Sequence, residues 1–405
     1  MFVEFWQKIK SSPLSILIFS ILLLSLGLAS LYSIALVQQQ PPPNAFSKQL
    51  LFLIPAFLLM IIMTILSKRL IHKYIYLIYG IILIAVSLPF LGEQVSGAYR
   101  WINTGLKFTV QPSEIAKWVI VIALARYLSD HNLQMRNFAS MLVPLIIALI
   151  PTLIVINQPD LGTALVMMLP VITMLFWVGA RPYHLFLLIA PFLSILTAFN
   201  FTVFTSWAII LALIVYISKP QLWNGVTLYF GNIFLGLIFP FMWDLLRPHQ
   251  KSRLLTFINP DLDPLGAGYQ IIQSKTALGS GGFLGKGWGE GTQTHLKFLP
   301  VQESDFIVSV IGEEFGFITL LAMLSVFIWM IIKILKLAFS ASDRFSALIL
   351  IGISTIFAAH LFVNCGMTSG LIPVKGLPLP FISYCLLYTS PSPRDKRQYR
   401  MTSSA

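Results

Sequence analysis

Charge is what this sequence has least of. Asp, Glu, Lys and Arg make up 10% of its 405 residues, against about 25% in an ordinary soluble domain. So few charges cannot cover a water-exposed surface. Cysteine is scarcer still. Two residues, Cys365 and Cys385, exclude a disulfide-built secreted scaffold and supply no metal motif. Low-hydrophobicity sequence, the basis of intrinsic disorder, is missing too, because 57% of the chain is hydrophobic. Acids are rarer than bases, 15 against 27, for a net charge of +12. In a chain this apolar the basic excess points to cytoplasmic loops and not to nucleic acid.

What is present in quantity is the long apolar run. A helix needs about 20 apolar residues to cross a bilayer. Runs suited to this fall at 14–36, 49–66, 73–91, 112–129, 139–156, 161–179, 183–199, 203–218, 226–246, 306–333 and 345–366. The expected fold is therefore all-α, a polytopic helical membrane protein of about eleven spans. The first run is longer than a signal-peptide core and lacks a cleavage-like end, so it reads as a retained signal anchor. Pro144, Pro170 and Pro191 are compatible with helix where neighbours satisfy the freed carbonyls.

Lys8 and Lys10 place the N-terminus inside by the positive-inside rule. The inner loops then carry Lys68, Arg69, Lys73, Arg126, Arg136, Arg181, Lys219, Lys333, Lys336 and Arg344. The outer short loops carry only Lys48, Arg100, Lys107 and Lys375. Two long polar segments, 92–111 and 247–305, face outward and read as functional.

Ionisable residues at membrane depth are functional candidates. Glu114 and Lys117 are three apart and share a helix face, either as a neutralised pair or as part of a charged cavity lining. Arg100 offers a guanidinium fork suited to a phosphate or diphosphate. Trp101 beside it suits either sugar stacking or headgroup anchoring. Asp160 stands where a helix N-cap belongs, and also where an outer site would lie. The glycine run 279–287 fails the P-loop pattern, because position 280 is Ser and Gly287 follows Lys286. Asp261 and Asp263 are spaced like the start of a calcium loop, but its glycine and closing Glu are missing. Asp305 sits where the long loop meets the membrane. Partial desolvation there suits a general base, and a first-turn helix acid is equally open. Glu313 and Glu314, two turns deeper, suggest a carboxylate-lined outer cavity.

These residues fall in recognisable strings: GAYRWIN with QPSEIAK, QPDLGTA, DPLGAGYQIIQSK, ALGSGGFLGKGWGEGTQT, FLPVQESDFI, GEEFG and NCGMTSGLIPVKGLPLPFISY. Over nearly all of 10–384 the chain resembles the SEDS family (shape, elongation, division, sporulation), most closely its rod-shape-determining members. The resemblance implies a peptidoglycan glycosyltransferase of the bacterial inner membrane that polymerises lipid II on the outer side. It implies that Asp305 is the essential aspartate, acting directly or through a divalent cation such as Mg2+ or Mn2+. The displacement would be single and inverting, without the paired carboxylates of a retaining glycosidase and without an organic cofactor. Trp101 matches the family's important tryptophan. Arg100, Glu114, Lys117, Asp160 and Lys286 follow as substrate-site or buried-network candidates. The implied partner is a class B penicillin-binding protein. A lipid II flippase, or other polyisoprenoid-lipid transporter, is the alternative function.

Two departures from the family pattern stand out. Residues 183–246 read as three spans where one is usual, so two are extra, and the parity that keeps 247–305 outside is preserved. After Tyr384 the pattern breaks, and 385–405 reads as a translated sequencing adapter in place of the family's last span. The expected organisation is one membrane domain over 1–384, followed by that foreign tail. Loss of the last span is expected to weaken the fold.

Overall fold

The structure is a computed structural model. It describes residues 14–37, 44–92, 99–103, 109–131, 138–198, 200–218, 222–243, 268–295, 299 and 301–384. Asp261, Asp263, Lys107 and the segment 385–405 lie outside the described residues.

Every apolar run read from the sequence is a helix. The first six are α1 (Leu14–Val37), α2 (Ala45–Ile65), α3 (Lys68–Ser87), α4 (Pro112–Asp130), α5 (Leu142–Asn157) and α6 (Leu161–Trp177). Three more follow as α7 (Pro182–Thr197), α8 (Phe201–Ser218) and α9 (Leu222–Trp243). Two short helices, α10 (Tyr269–Ser280) and α11 (Thr292–His295), precede α12 (Ile307–Phe339) and α13 (Arg344–Thr368). Among the described residues, six of these helices are long and apolar enough on their own to cross a membrane. Helices α5 and α6 are apolar but shorter, and α4 carries Glu114, Lys117, Arg126 and Asp130.

Two clusters of buried apolar residues form the core. One joins α4, α5, α6 and α13 through Leu124, Met167, Met174 and Leu348. The other joins α1, α12 and α13 through Leu31, Phe327 and Leu361, with Ile382 of the following segment packed on them. Helix α2 has no buried residue in its most apolar stretch, as a lipid-facing helix should. Helices α7–α9 pack chiefly on one another around Leu211, Trp207 and Phe204. A polar knot ties them, because Trp207 Nε1 donates to Ser194 Oγ, which donates to Asn232 Oδ1.

The two ends of the bundle differ. Where α3 and α13 begin and α4 ends, charges pair at the surface: Lys68 with Asp343 at 2.9 Å, and Arg126 and His72 with Asp130. The opposite end, where α4, α6 and α12 begin, holds a short hairpin, α10 and α11. There the chain after Arg100 turns as a minimal antiparallel hairpin, Ile102 opposite Val110 and Asn103 opposite Thr109. Its strands are two residues each, too short to show alternation in the residues themselves.

Helix α12 is broken at Gly316, whose φ of 81° lies outside helix space. A break frees backbone groups, and at membrane depth these need partners. The loop after α10 supplies them. Lys286 and Gly287 amides donate to the Glu313 and Glu314 carbonyls, and Phe317 and Ile318 amides donate to Gly282 and Phe283. Gly285 (φ 83°) lies so close to the break that a side chain on it would strike the α12 backbone.

Candidate functional site

Asp305 ends the turn that leads into α12. Its amide and that of Ser304 donate to the Val301 carbonyl, closing the turn around Val301 at φ 55°. A β-branched residue in left-handed space stores strain, on the order of 1–2 kcal/mol. Its carboxylate does not cap α12, whose N-cap position is Phe306 with no side-chain bond. Among the described residues it accepts from the Ser304 hydroxyl alone, at 3.3 Å. Burial pushes Asp305 up to about 7. The Ser304 bond and the Arg100 charge oppose that shift, and the Asp160 charge adds to it.

The segment 370–384 folds over this turn. Ser383 Oγ donates to the Ser304 carbonyl at 2.6 Å, and the Tyr384 amide donates to Glu303 at 2.9 Å. Gly376 lies against the carboxylate, where a Cβ would stand 3.2 Å from Asp305 Oδ2. Asn364 Nδ2 donates to the Asp305 and Leu377 carbonyls.

Arg100 reaches the same place from the hairpin. Its guanidinium donates to the Pro159 carbonyl and, through Nε, to that of Gln158 at 3.5 Å. The guanidinium has five donors, so others remain for an anion. Trp101, next in the chain, is half-buried. Asp160 is the N-cap of α6, accepting from Thr163 amide and hydroxyl and from Gln111 Nε2 at 2.9 Å. It is 4% exposed, and its charge raises Asp305.

Glu114 and Lys117 pair at 2.6 Å, and Lys117 also reaches His360 Nε2 at 2.9 Å. His360 Nδ1 faces the Pro378 carbonyl, which can only accept. The imidazole is therefore protonated at Nδ1, and Nε2 accepts from the lysine. Lys117 and His360 are 3% and 1% exposed, so this chain of bonds is a buried brace from α4 to the 370–384 segment.

Lys286 is placed elsewhere. Its Nζ contacts Glu313 at 2.9 Å and Thr292, inside the clasp at the α12 break. Glu313 also accepts from the Gln293 and Thr294 amides and from two threonine hydroxyls. Glu314 accepts from Ser33 on α1 at 2.7 Å. The two glutamates are 0% and 1% exposed, which corrects the expectation that they line a cavity with Asp305. The outward side of a helix start was inferred from spacing alone. The break and its docked loop consume both carboxylates.

The structure thus gathers Arg100, Asp160 and Asp305, joins Glu114 and Lys117 through His360 to the 370–384 segment that covers Asp305, and sets Lys286 apart. His360 and Asn364 were missed by sequence reasoning. Their signal was polar residues at i, i+4 and i+8 (360, 364, 368) along one face of an apolar span.

The family model FTSW_RODA_SPOVE, described as "Cell cycle protein", matches residues 13–208 and 190–385. The chain belongs to this FtsW/RodA/SpoVE family. Peptidoglycan glycosyltransferase MrdB of Escherichia coli is 32% identical over 387 residues, spanning 94% of this chain and 90% of its own. Stage V sporulation protein E of Bacillus subtilis is 33% identical over 387 residues, 93% of this chain and 92% of its own. A solved peptidoglycan synthase complex, studied for its coordination of polymerization and crosslinking, superposes with a TM-score of 0.70 at 25% identity, covering 93% of both chains. Rod shape determining protein RodA of Thermus thermophilus shares the fold, with a TM-score of 0.60 at 21% identity over 93% of this chain and 91% of that one. The multi-pass helical membrane fold expected from the sequence is the fold of this family. The two matched stretches meet inside α7–α8, in the segment read as containing extra helices.

Proposed function

We propose that the protein is a peptidoglycan glycosyltransferase that polymerises lipid II into glycan strands during cell-wall elongation, with Asp305 as its general base. The observation that carries this reading is a desolvated, nearly unbonded carboxylate beside a guanidinium with spare donors, in a chain about one-third identical to peptidoglycan glycosyltransferases. Asp305 takes the proton of the acceptor hydroxyl as that oxygen attacks the anomeric carbon. The bond to the diphosphate breaks, the lipid diphosphate leaves as an anion, and the configuration inverts. Arg100 is suited to hold that anion, and Trp101 to stack on a sugar face. Glu114, Lys117 and His360 brace the segment that covers Asp305.

A divalent cation fits the site only in a shared mode. Among the described residues no group of three or more His, Cys, Asp or Glu could hold a metal, and Asp160 is saturated. Asp305 alone would hold Mg2+ or Mn2+ together with substrate phosphate, where the cation would supply charge neutralisation of the leaving group. The site faces outward across a bacterial inner membrane, with a class B penicillin-binding protein as partner. The basic residues at the Lys68 and Arg126 end support that orientation.

The test is polymerisation of purified lipid II by the full chain, with Asp305→Asn as control. Glycan product that disappears in the variant supports the reading. Lipid transfer across proteoliposomes without glycan, insensitive to the substitution, would mark a flippase instead.

A further inference from the structure

Asn364 lies in the middle of the polar stripe on α13 and is 0% exposed. Its Nδ2 stands 3.1 Å from the Asp305 carbonyl and 2.7 Å from the Leu377 carbonyl. Both partners are acceptors only, so the carboxamide cannot be turned over without facing oxygen with oxygen. Oδ1 must then point the other way, and no described group donates to it. A bare buried acceptor is destabilising, and a leucine of similar volume would not carry that cost. What the asparagine contributes is the two-carbonyl fork.

The fork ties together two stretches that lie beside the carboxylate. One is the turn carrying Asp305. The other begins at Gly376, which faces Oδ2. One turn back on α13, His360 holds the carbonyl of the next residue, Pro378. The charges around the carboxylate are those of Arg100 and Asp160, and Lys375 adjoins Gly376 in the chain.

We propose that Asn364 is a positioning residue for Asp305: it locks the 376–378 stretch against the base and so fixes the carboxylate's direction and its dry surroundings. The proposal rests on the reading of Asp305 as the base. It assigns Asn364 no contact with substrate.

The experiment measures lipid II polymerisation by the full chain across pH, for wild type, Asn364→Leu, Gly376→Ala and Asp305→Asn. Asn364→Leu is expected to lower kcat about 100-fold, the cost of misplacing a reacting group by about an ångström. KM is expected to change by less than about threefold, since no binding contact is removed. The acid limb of kcat is expected to move to lower pH, because a loosened cover hydrates the carboxylate.

Gly376→Ala keeps every hydrogen bond and crowds Oδ2 from the same stretch, so it carries the test if Asn364→Leu does not fold. It should move the acid limb the opposite way, to higher pH, because a methyl beside Oδ2 dries the carboxylate further, and the double variant should be less impaired than the product of the two single effects. A raised KM with kcat intact would make Asn364 a substrate contact and overturn the proposal. An acid limb unmoved in both variants, with activity tracking only the folded fraction, would reduce Asn364 to a packing residue and also overturn it. Full activity in Asp305→Asn would instead sink the base assignment, and the proposal with it. An inactive Asp305→Asn beside either of the former results isolates the failure to Asn364.

Discussion

Asp305 and Glu313 are eight residues apart, at the two ends of the first segment of α12, and the protein treats them oppositely. Glu313 accepts from Lys286, from two backbone amides and from the hydroxyls of Thr292 and Thr294. Asp305 accepts from one hydroxyl at 3.3 Å. A carboxylate saturated with donors holds structure, because its lone pairs are committed. A carboxylate left short of donors retains basicity and can take a proton. Donor supply separates the two roles: the 286–294 loop brings Glu313 an ammonium, amides and hydroxyls, whereas the 370–384 segment meets the Asp305 carboxylate with Gly376, which has no side chain to donate.

The largest expected effect breaks the comparison at Asp305. Asp305→Asn should cost at least about 100-fold in polymerisation, the usual worth of a general base. The variant should fold at least as well as wild type. The sign follows from linkage. A raised carboxyl stabilises the fold most below its ordinary value, and that contribution is lost as pH rises through about 7. The amide removes the penalty, so thermal unfolding in detergent should show a gain above about pH 7. A less stable Asp305→Asn would mean that the carboxylate is structural after all.

Glu313→Ala should do the reverse. It leaves Lys286 unpaired and two buried amides without an acceptor, at about 3–5 kcal/mol. The expected signs are loss of folded protein and proteolysis in 281–295. Correctly folded Glu313→Ala with low activity would instead move Glu313 into the reaction.

Gly316→Ala should be milder in origin and local in effect. It forces an L side chain to φ 81° against Gly285, at about 1–2 kcal/mol for the backbone alone. Hydrogen exchange at Phe317 and Ile318 should rise while that of α13 stays unchanged.

The smallest effect is expected at the opposite end, where Lys68 pairs with Asp343 in the open, 67% and 41% exposed. Asp343 is held down to about 2, with burial opposing and bonds to Ser346 and Lys68 outweighing it. That contribution is present above the ordinary carboxylate value and lost as pH falls toward about 2. Solvent screening limits Lys68→Ala to about 1 kcal/mol or less, within the scatter of a thermal melt.

The helices were legible because each writes its apolar length in its own residues. The run at 203–218, one of the shortest, is helical from Phe201 to Ser218. Asp160 was legible as a cap because capping is local. The Gly316 break was not, since Gly316 reads as an ordinary helix glycine until the loop 282–287 docks on it. The separation of Asp305 from Glu313 and Glu314 was hidden for the same reason: the donors that consume the glutamates come from Ser33 and from 286–294, distant in sequence. The brace through His360 and Asn364 was hidden because one end of each bond is a backbone carbonyl, which no residue type announces.

The most direct test of an under-bonded base is the pH dependence of lipid II polymerisation by the full chain, beside Asp305→Asn. The account predicts a rate that rises with pH, reaches half its maximum near the Asp305 value of about 7, and falls about tenfold per unit below it. In Asp305→Asn that limb should vanish along with the activity. A variant that polymerises at the wild-type rate with the limb in place would contradict it.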